Sequence, residues 1–411
     1  MVMSINIMKK RTAYLSKIVD FIDKPFIKVL SGIRRSGKSS LLLLLKNEIL
    51  QKGNVESQII YINFESFMNS DLTDAKILYE FVRERITGDN RYYLLLDEIQ
   101  EVKYWEKAVN AFLVDFNIDI YITGSNSHLL SSELATLIAG RYVEFQIQTL
   151  SFNEYLDFHQ IQSKEQEILA KSFDNYLKIG GFPVIHTGDY SYENAYKVVY
   201  DIYSSAVLRD TIQRYQIRDL ELLERVVKYV FDNVGNSFSG KNVSDYFKSQ
   251  HRKVDVNTIY NYLKALESAF IVYKIPRFDI KGKEILKTQE KYFVGDPSLI
   301  YAVMGYRERM IGGILENIVL LELKRRDYKV FVGKLGTKEI DFVAEKGSSR
   351  IYIQVAYLLI EQSTIEREFS PLKEIADNYP KFVVTMDKSW SDTEEGIHHL
   401  NIVDFLLMES Y

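Results

Sequence analysis

An α/β multidomain architecture is predicted by three features of the sequence. Its 411 residues exceed what one hydrophobic core ordinarily serves, which sets a prior of about two to four domains. Residues 26 to 150 alternate short, wholly apolar runs with helical patterns. The apolar runs show no polar alternation, so each reads as a strand buried on both faces. Such strands alternating with helices imply a parallel sheet covered on both sides.

The strands read as Phe26 to Leu30, Ile59 to Phe64, Tyr92 to Leu96 and Ile118 to Ile122, separated by helices around Leu41 to Leu50, Ile77 to Ile86 and Trp105 to Phe116. From Ser151 to Arg218 the pattern turns helical and tyrosine-rich, broken by Gly180-Gly181-Phe182-Pro183. Short helices follow from Leu220, then a hairpin, Phe278 to Leu286, turning at Lys281-Gly282-Lys283. From Ser298 a long helix leads into strand-like runs Lys329 to Val332, Glu339 to Ala344 and Arg350 to Ala356, then a helix, a strand (Phe382 to Thr385) and a last helical run. The expected domains are therefore 1–150, 151–219, 220–297 and 298–411.

Composition narrows the chemistry. With no cysteine and six histidines, disulfides, thiolate zinc sites and thiol nucleophiles are excluded, and no histidine pair has the spacing of a zinc hydrolase. A net charge of −4 argues against a chain-wide nucleic-acid coat while leaving room for a local basic patch. The apolar run Leu41 to Leu45 is short, ends at Lys46 and falls far below the roughly 18 residues of a membrane span. No apolar segment follows the basic Lys9, Lys10 and Arg11, so a cytoplasmic protein is expected.

The strongest chemical signal is Gly32-Ile33-Arg34-Arg35-Ser36-Gly37-Lys38-Ser39, which fits GxxxxGK[ST]. A chance match in a chain of this length has odds of about one in a hundred. Its context strengthens it, because the motif follows an apolar strand and opens a helix. Glycines let consecutive backbone N–H groups curl around phosphates, and the helix N-terminus adds partial positive charge. Gly32, Arg34, Arg35, Ser36, Gly37, Lys38, Ser39 and Ser40 are the expected ATP-binding set. Lys38 would reach the β- and γ-phosphates and the Ser39 hydroxyl would ligate Mg²⁺.

A phosphate loop needs an acidic strand end. Tyr92 to Leu96 runs into Asp97-Glu98, and adjacent residues on a strand point opposite ways. Asp97 would hold Mg²⁺ and Glu98 would orient and deprotonate the attacking water, with Glu65 a weaker rival as base. Gly124-Ser125-Asn126-Ser127 ends the next strand, where Ser125 or Asn126 could sense the γ-phosphate or simply form a turn. Arg141 and Arg209 are candidates for an arginine finger or for structural ion pairs.

Together, Ile33 to Ser39, Leu96-Asp97-Glu98-Ile99-Gln100 and Ile122-Thr123-Gly124-Ser125-Asn126 resemble the AAA-type ATPases of bacteria and archaea that carry an uncharacterised C-terminal domain. Gly140-Arg141, Leu150-Ser151-Phe152-Asn153-Glu154-Tyr155, Gly180-Gly181-Phe182-Pro183 and Leu208-Arg209-Asp210 extend the resemblance over nearly the whole chain. The plan is similar to that of the signal-transduction ATPases with numerous domains. It implies ATP-dependent switching, and Arg141 matches the position where an arginine finger would be sought.

Val243 to Leu286 reads as a winged helix-turn-helix, with Ile259, Leu263, Leu266 and Phe270 inward and Asn257, Thr258, Asn261 and Lys264 outward. Either it contacts DNA or it packs between domains and transmits nucleotide state. The C-terminal region resembles the PD-(D/E)XK (restriction-endonuclease-like) nuclease fold, with Glu316, Asp341 and Gln354 at its site positions. Gln354 stands for a carboxylate and Ala356 for the lysine, so an inactive site is expected, with Lys338 or Lys324 as possible compensation and structural ion pairs as the alternative.

The expected function is Mg²⁺-dependent ATP hydrolysis driving a switch coupled to double-stranded DNA or a protein partner, with a homo-oligomer required if an arginine acts in trans. Two rivals stand beside it: a DNA-binding protein that uses nucleotide as a regulatory ligand, and an ATP-regulated nuclease.

Overall fold

The computed structural model describes residues 8–127, 140–387 and 393–411. The chain divides into two compact units, Met1–Ile147 and Gln148–Tyr411.

In the first unit, α1 (Thr12–Val19), β1 (Ile27–Ser31), α2 (Lys38–Gln51), β2 (Ile59–Asn63), α3 (Ala75–Arg83), β3 (Tyr92–Asp97), α4 (Trp105–Asp115), β4 (Ile118–Gly124) and β5 (Tyr142–Gln146) follow in chain order. The strands form one sheet in the order β2-β3-β4-β1-β5, and each pairing is parallel. Successive residues of β3 serve opposite faces. Tyr92, Leu94 and Leu96 join the core with Leu78 of α3 and Val109 and Phe112 of α4. Tyr93 and Leu95 join Leu15 and Ile18 of α1 and Leu41, Leu42 and Leu45 of α2. Each fully buried leucine or isoleucine contributes about 1.5–3 kcal/mol, which holds both helical layers to the sheet. The expected strands and helices are all present. β5 is additional to them.

Because the strands are parallel, their C-terminal ends share one edge, and β4 lies between β1 and β3. The loop after β1, the carboxylates ending β3 and the polar residues ending β4 therefore meet at one place, where ligands bind in open α/β sheets.

The second unit begins with α5 (Phe152–Phe158), α6 (Gln166–Ile179), α7 (Tyr192–Ala206), α8 (Leu220–Asp232), α9 (Gly240–Ser249) and α10 (Val256–Ser268). A hairpin follows, β6 (Val272–Asp279) and β7 (Glu284–Val294), then α11 (Pro297–Met304) and α12 (Ile311–Arg325). β8 (Lys329–Leu335), β9 (Lys338–Lys346), β10 (Ser349–Val355), α13 (Gln362–Lys373), β11 (Lys381–Thr385), β12 (Thr393–Glu394), β13 (Ile397–Asn401) and α14 (Ile402–Leu407) complete it. The hairpin does not stand apart as a wing. It joins the eight-stranded sheet β12-β13-β11-β10-β9-β8-β6-β7, through parallel pairing of Arg277 to Asp279 with Val332 to Lys334. The α13 residues Phe369 and Leu372 pack on that sheet against Phe331, Val343 and Tyr352. No described helix is long and apolar enough to cross a membrane.

Candidate functional site

The phosphate loop is shaped by backbone that only some residues tolerate. Gly32 has φ +146°, and a Cβ there would lie 2.2 Å from the Ile147 carbonyl oxygen, so a side chain is excluded on two counts. Arg35 (φ 67°) and Gly37 (φ 98°) are also left-handed. Gly37 precedes α2 without a side-chain cap, which leaves the first N–H groups of that helix facing the loop. The Ser36 hydroxyl is buried with no hydrogen-bond partner among the described residues, and its carbonyl accepts from Arg11 Nη1 at 2.8 Å. Arg11 is itself buried and lies 4.6 Å over the Tyr14 ring, bracing the loop from α1.

Lys38 is buried. Its Nζ donates to the carbonyls of Gly32 at 3.0 Å and Ile33 at 3.2 Å and lies 3.8 Å from Glu98. Ser39 donates to Asp97 Oδ1 at 3.0 Å. The same carboxylate accepts from Thr123 at 2.6 Å, Asn63 at 3.0 Å and Tyr61 at 3.2 Å. Burial nevertheless pushes the Asp97 carboxyl above its ordinary range, against the hydrogen bonds of Thr123 and Ser39.

Glu98 ends the strand with φ 58°, a conformation a side-chain-bearing residue keeps only when its surroundings enforce it. Its N–H donates to Thr123 Oγ1 at 2.9 Å, and its carboxylate accepts from the Ser125 N–H at 3.2 Å and from Gln100. Burial acts to raise this carboxyl, but Lys38, Gln100, Arg34 and Ser125 together hold it below the usual carboxylate range. The two neighbouring acids thus differ in character, the pattern of divided roles.

Gly32, Ser36, Lys38, Ser39, Asp97, Glu98 and Ser125 are therefore brought together, and the buried Asn126 follows directly. Arg34 lies at the mouth, paired at 2.5 Å with Glu65, so the rival base is already engaged. Arg35 and Ser40 are exposed. Arg141 is not brought to the loop within its own chain. It precedes β5, and its carbonyl accepts from Ile27 N at 2.8 Å, at the start of β1. Loop and arginine thus sit at opposite ends of a five-residue strand, roughly 16 Å long. Arg209 is exposed on the π-helical turn Val207–Gln213 of the second unit. Sequence reasoning missed Thr123, Asn63 and Arg11. Thr123 and Asn63 were legible as polar ends of apolar strands, whereas Arg11 carried no pattern.

In the second unit, the segments Leu150 to Tyr155 and Gly180 to Pro183 meet, with the Leu150 N–H donating to the Gly181 carbonyl at 2.7 Å. Ser151 and Glu154 form a capping box on α5. Gly181 N donates to Asp296 at 2.8 Å, while a Cβ at Gly180 would meet that aspartate at 2.0 Å and one at Gly181 the Leu150 carbonyl at 2.4 Å. The inward and outward faces of α10 fall as expected, with Ile259, Leu263, Leu266 and Phe270 buried, Asn257, Asn261 and Lys264 exposed and Thr258 half-buried. Arg252 is paired with Asp219 and Glu221, which diminishes the basic face.

A cavity of about 1170 Å³ is lined by Glu316, Glu339, Asp341, Gln354 and Glu368 together with Lys291. The expected trio is gathered here. The Asp341 N–H donates to Gln354 Oε1 at 2.7 Å, and Gln354 Nε2 donates to Glu368 at 2.9 Å. Lys291, which sequence reasoning missed, lies 2.9 Å from Glu339, 3.3 Å from Glu316 and 3.4 Å from Asp341. Burial alone would lower its ammonium, but Glu316, Asp341 and Glu339 carry it above its ordinary value. Of the two suggested compensating lysines, Lys338 also lines this cavity. Lys338 is paired with Glu374 and Lys324 lies 4.8 Å over Tyr273.

Residues 24–156 match the model of an AAA domain, and residues 170–309 that of a domain of unknown function, DUF8612. The chain is 41% identical to an uncharacterized protein of Haemophilus influenzae over 97% of this chain and 99% of the other. It is 33% identical to an uncharacterized protein of Methanocaldococcus jannaschii over 83% and 77%. A Walker-type ATPase of Pyrococcus abyssi has a similar fold, with a TM-score of 0.50 at 14% identity, covering 72% of this chain and 96% of that one.

Proposed function

Because the chain belongs to the family of these uncharacterized Haemophilus influenzae and Methanocaldococcus jannaschii proteins and its residues 24–156 match an AAA domain, we propose that it is a Mg²⁺-dependent ATPase whose hydrolysis cycle switches its second unit. The observation that carries this reading is the joining of Ser39 to Asp97 at 3.0 Å beside Lys38, 3.8 Å from Glu98.

The residues present fit a nucleoside triphosphate with its metal. The uncapped helix start, the unpartnered Ser36 hydroxyl and the glycine cradle provide donors for phosphate oxygens. Ser39 and Asp97 would hold Mg²⁺, which when bound neutralises charge across the β- and γ-phosphates. Lys38 exchanges its bonds with the Gly32 and Ile33 carbonyls for phosphate oxygens. Glu98, kept ionised by Lys38, orients the attacking water and takes its proton, and Ser125 N–H and Gln100 hold its carboxylate in register. Asn126 serves as the γ-phosphate sensor. Arg141 acts in trans on the γ-phosphate of a neighbouring copy, since the length of β1 separates it from its own loop.

The second unit is read as a helical segment (151–219), a winged helix (220–297) and a nuclease-like domain (298–411). The three successive helices α8, α9 and α10 support the helical part of the winged helix, although its hairpin is shared with the sheet of the following domain. The order α12, β8, β9, β10, α13, β11 supports the nuclease-like domain. The partner is double-stranded DNA or a protein. Phosphate release from ATP, measured with and without duplex DNA beside the Lys38→Ala variant, tests the reading. Stimulation that weakens steeply with salt identifies DNA as the partner, and equal rates with and without DNA turn the search toward a protein. No release by the wild type under either condition overturns the ATPase.

A further inference from the structure

Carboxylates gathered in a cavity require a counter-charge, because an ionised acid removed from water without one is strongly destabilising. In nuclease-like pockets a divalent metal fills that role. Here the chain supplies a cation of its own. Lys291 of β7 is buried, and its ammonium lies 2.9 Å from Glu339 on β9, 3.3 Å from Glu316 on α12 and 3.4 Å from Asp341 on β9.

Three further features fit poorly with a metal. Gln354, in a ligand position, has its carbonyl oxygen engaged by the Asp341 N–H and its amide by Glu368. One Asp341 oxygen is taken by the Val355 N–H at 2.9 Å, and the other faces Lys291. Among the described residues, no group of three or more acidic or histidine side chains is spaced to hold a metal ion. A Mg²⁺ ion needs oxygens at about 2.0–2.1 Å. It would have to share these carboxylates with an ammonium already at hydrogen-bond distance, and like charges repel strongly at such separations.

Building on the nuclease-like reading of residues 298–411, whose sheet the hairpin β6–β7 joins, we propose that Lys291 of β7 is a built-in cation that occupies the metal position of this pocket. Glu316, Glu339 and Asp341 then bind no divalent ion, and the pocket does not cut phosphodiesters. The other cations of its lining are spent, Lys338 on Glu374 and Arg367 on Glu368. The acidic groups of the lining, Glu316, Glu339, Asp341, Glu361 and Glu368, outnumber its basic ones, Lys291, Lys338 and Arg367, so the cavity disfavours a phosphodiester.

The test is a Mn²⁺ titration of the full nucleotide-free chain, followed by the electron paramagnetic resonance of free Mn²⁺. It is independent of ATP turnover, so its outcome and that of the ATPase reading are separable. The wild type is expected to show no Mn²⁺ site, and Lys291→Met to gain one per chain with a dissociation constant below about 100 μM. That new site should be lost again when Asp341→Asn is added. A wild-type Mn²⁺ site abolished by Asp341→Asn overturns the proposal, and so does a folded Lys291→Met protein that binds no Mn²⁺. Should Lys291→Met fail to fold under the repulsion of three carboxylates, the double variant Lys291→Met with Glu339→Gln lowers that repulsion and is held to the same two outcomes.

Discussion

The Ser39 hydroxyl donates to Asp97 across 3.0 Å, tying the first turn of α2 to the end of β3. Thr123 donates to the same oxygen and accepts from the Glu98 N–H. One threonine on the intervening strand therefore sets the positions of both acids. The arrangement follows from strand order, because β4 lies between the loop strand and the acidic strand.

Asp97 bears a cost for its position. Its folded carboxyl is raised by burial, so ionisation at neutral pH opposes folding, and that opposition is relieved as pH falls through the raised value. Asp97→Asn removes the buried charge but sets an amide N–H₂ against two of the four donors Ser39, Thr123, Asn63 and Tyr61. It should therefore abolish Mg²⁺-dependent turnover without raising the melting temperature of the nucleotide-free protein. Calorimetry at pH 7 checks the second effect, and a higher melting temperature would mean that the burial cost of the charge outweighs its hydrogen bonds.

Arg11 supports the loop without belonging to its motif. Arg11→Met leaves the Ser36 carbonyl without the 2.8 Å guanidinium bond. Loss of a charged hydrogen bond costs about 1.5–3 kcal/mol, so ATP affinity should weaken by roughly tenfold or more. Titration with a fluorescent ATP analogue measures this, and unchanged affinity would reduce Arg11 to a packing residue.

Arg141 precedes β5, at the opposite end of the sheet from the loop. If it acts in trans, the Arg141→Ala and Lys38→Ala proteins should each be inactive alone and regain part of the turnover when mixed. Turnover per wild-type chain should also rise with protein concentration. No recovery on mixing, with both variants folded, would remove Arg141 from the chemistry.

Much of the first unit was legible because its signals are local. Apolar runs such as Tyr92 to Leu96 show burial on both faces, and the loop motif needs only adjacent residues. β5 escaped notice because Tyr142, Val143 and Glu144 are not fully buried, so it lacks the continuous apolar run of the other strands. Whether Arg141 acts in cis or in trans is open in the sequence, because only the parallel pairing of β5 with β1 shows that a residue preceding β5 belongs to the edge of the sheet opposite the loop. Lys291 was invisible for a different reason. Its three partners come from α12 and β9, and no spacing along the chain records their convergence. Gln354 and Ala356 revealed a departure from the nuclease pattern. The convergence of Lys291 on Glu316, Glu339 and Asp341 required the tertiary structure.

The central claim is that Glu98 is the base of an ATPase, and Glu98→Gln tests it most directly. Lys38, Gln100, Arg34 and Ser125 hold the Glu98 carboxyl below its usual range. Its stabilising contribution is therefore present at neutral pH and is lost only as pH falls through that lowered value. Wild-type turnover should accordingly show no loss attributable to Glu98 between about pH 8 and pH 5. Phosphate release and ATP affinity should be measured side by side for the two proteins. The account predicts that Glu98→Gln binds MgATP within about threefold of the wild type and turns it over about 10²- to 10⁴-fold more slowly. Turnover by Glu98→Gln at the wild-type rate would contradict it.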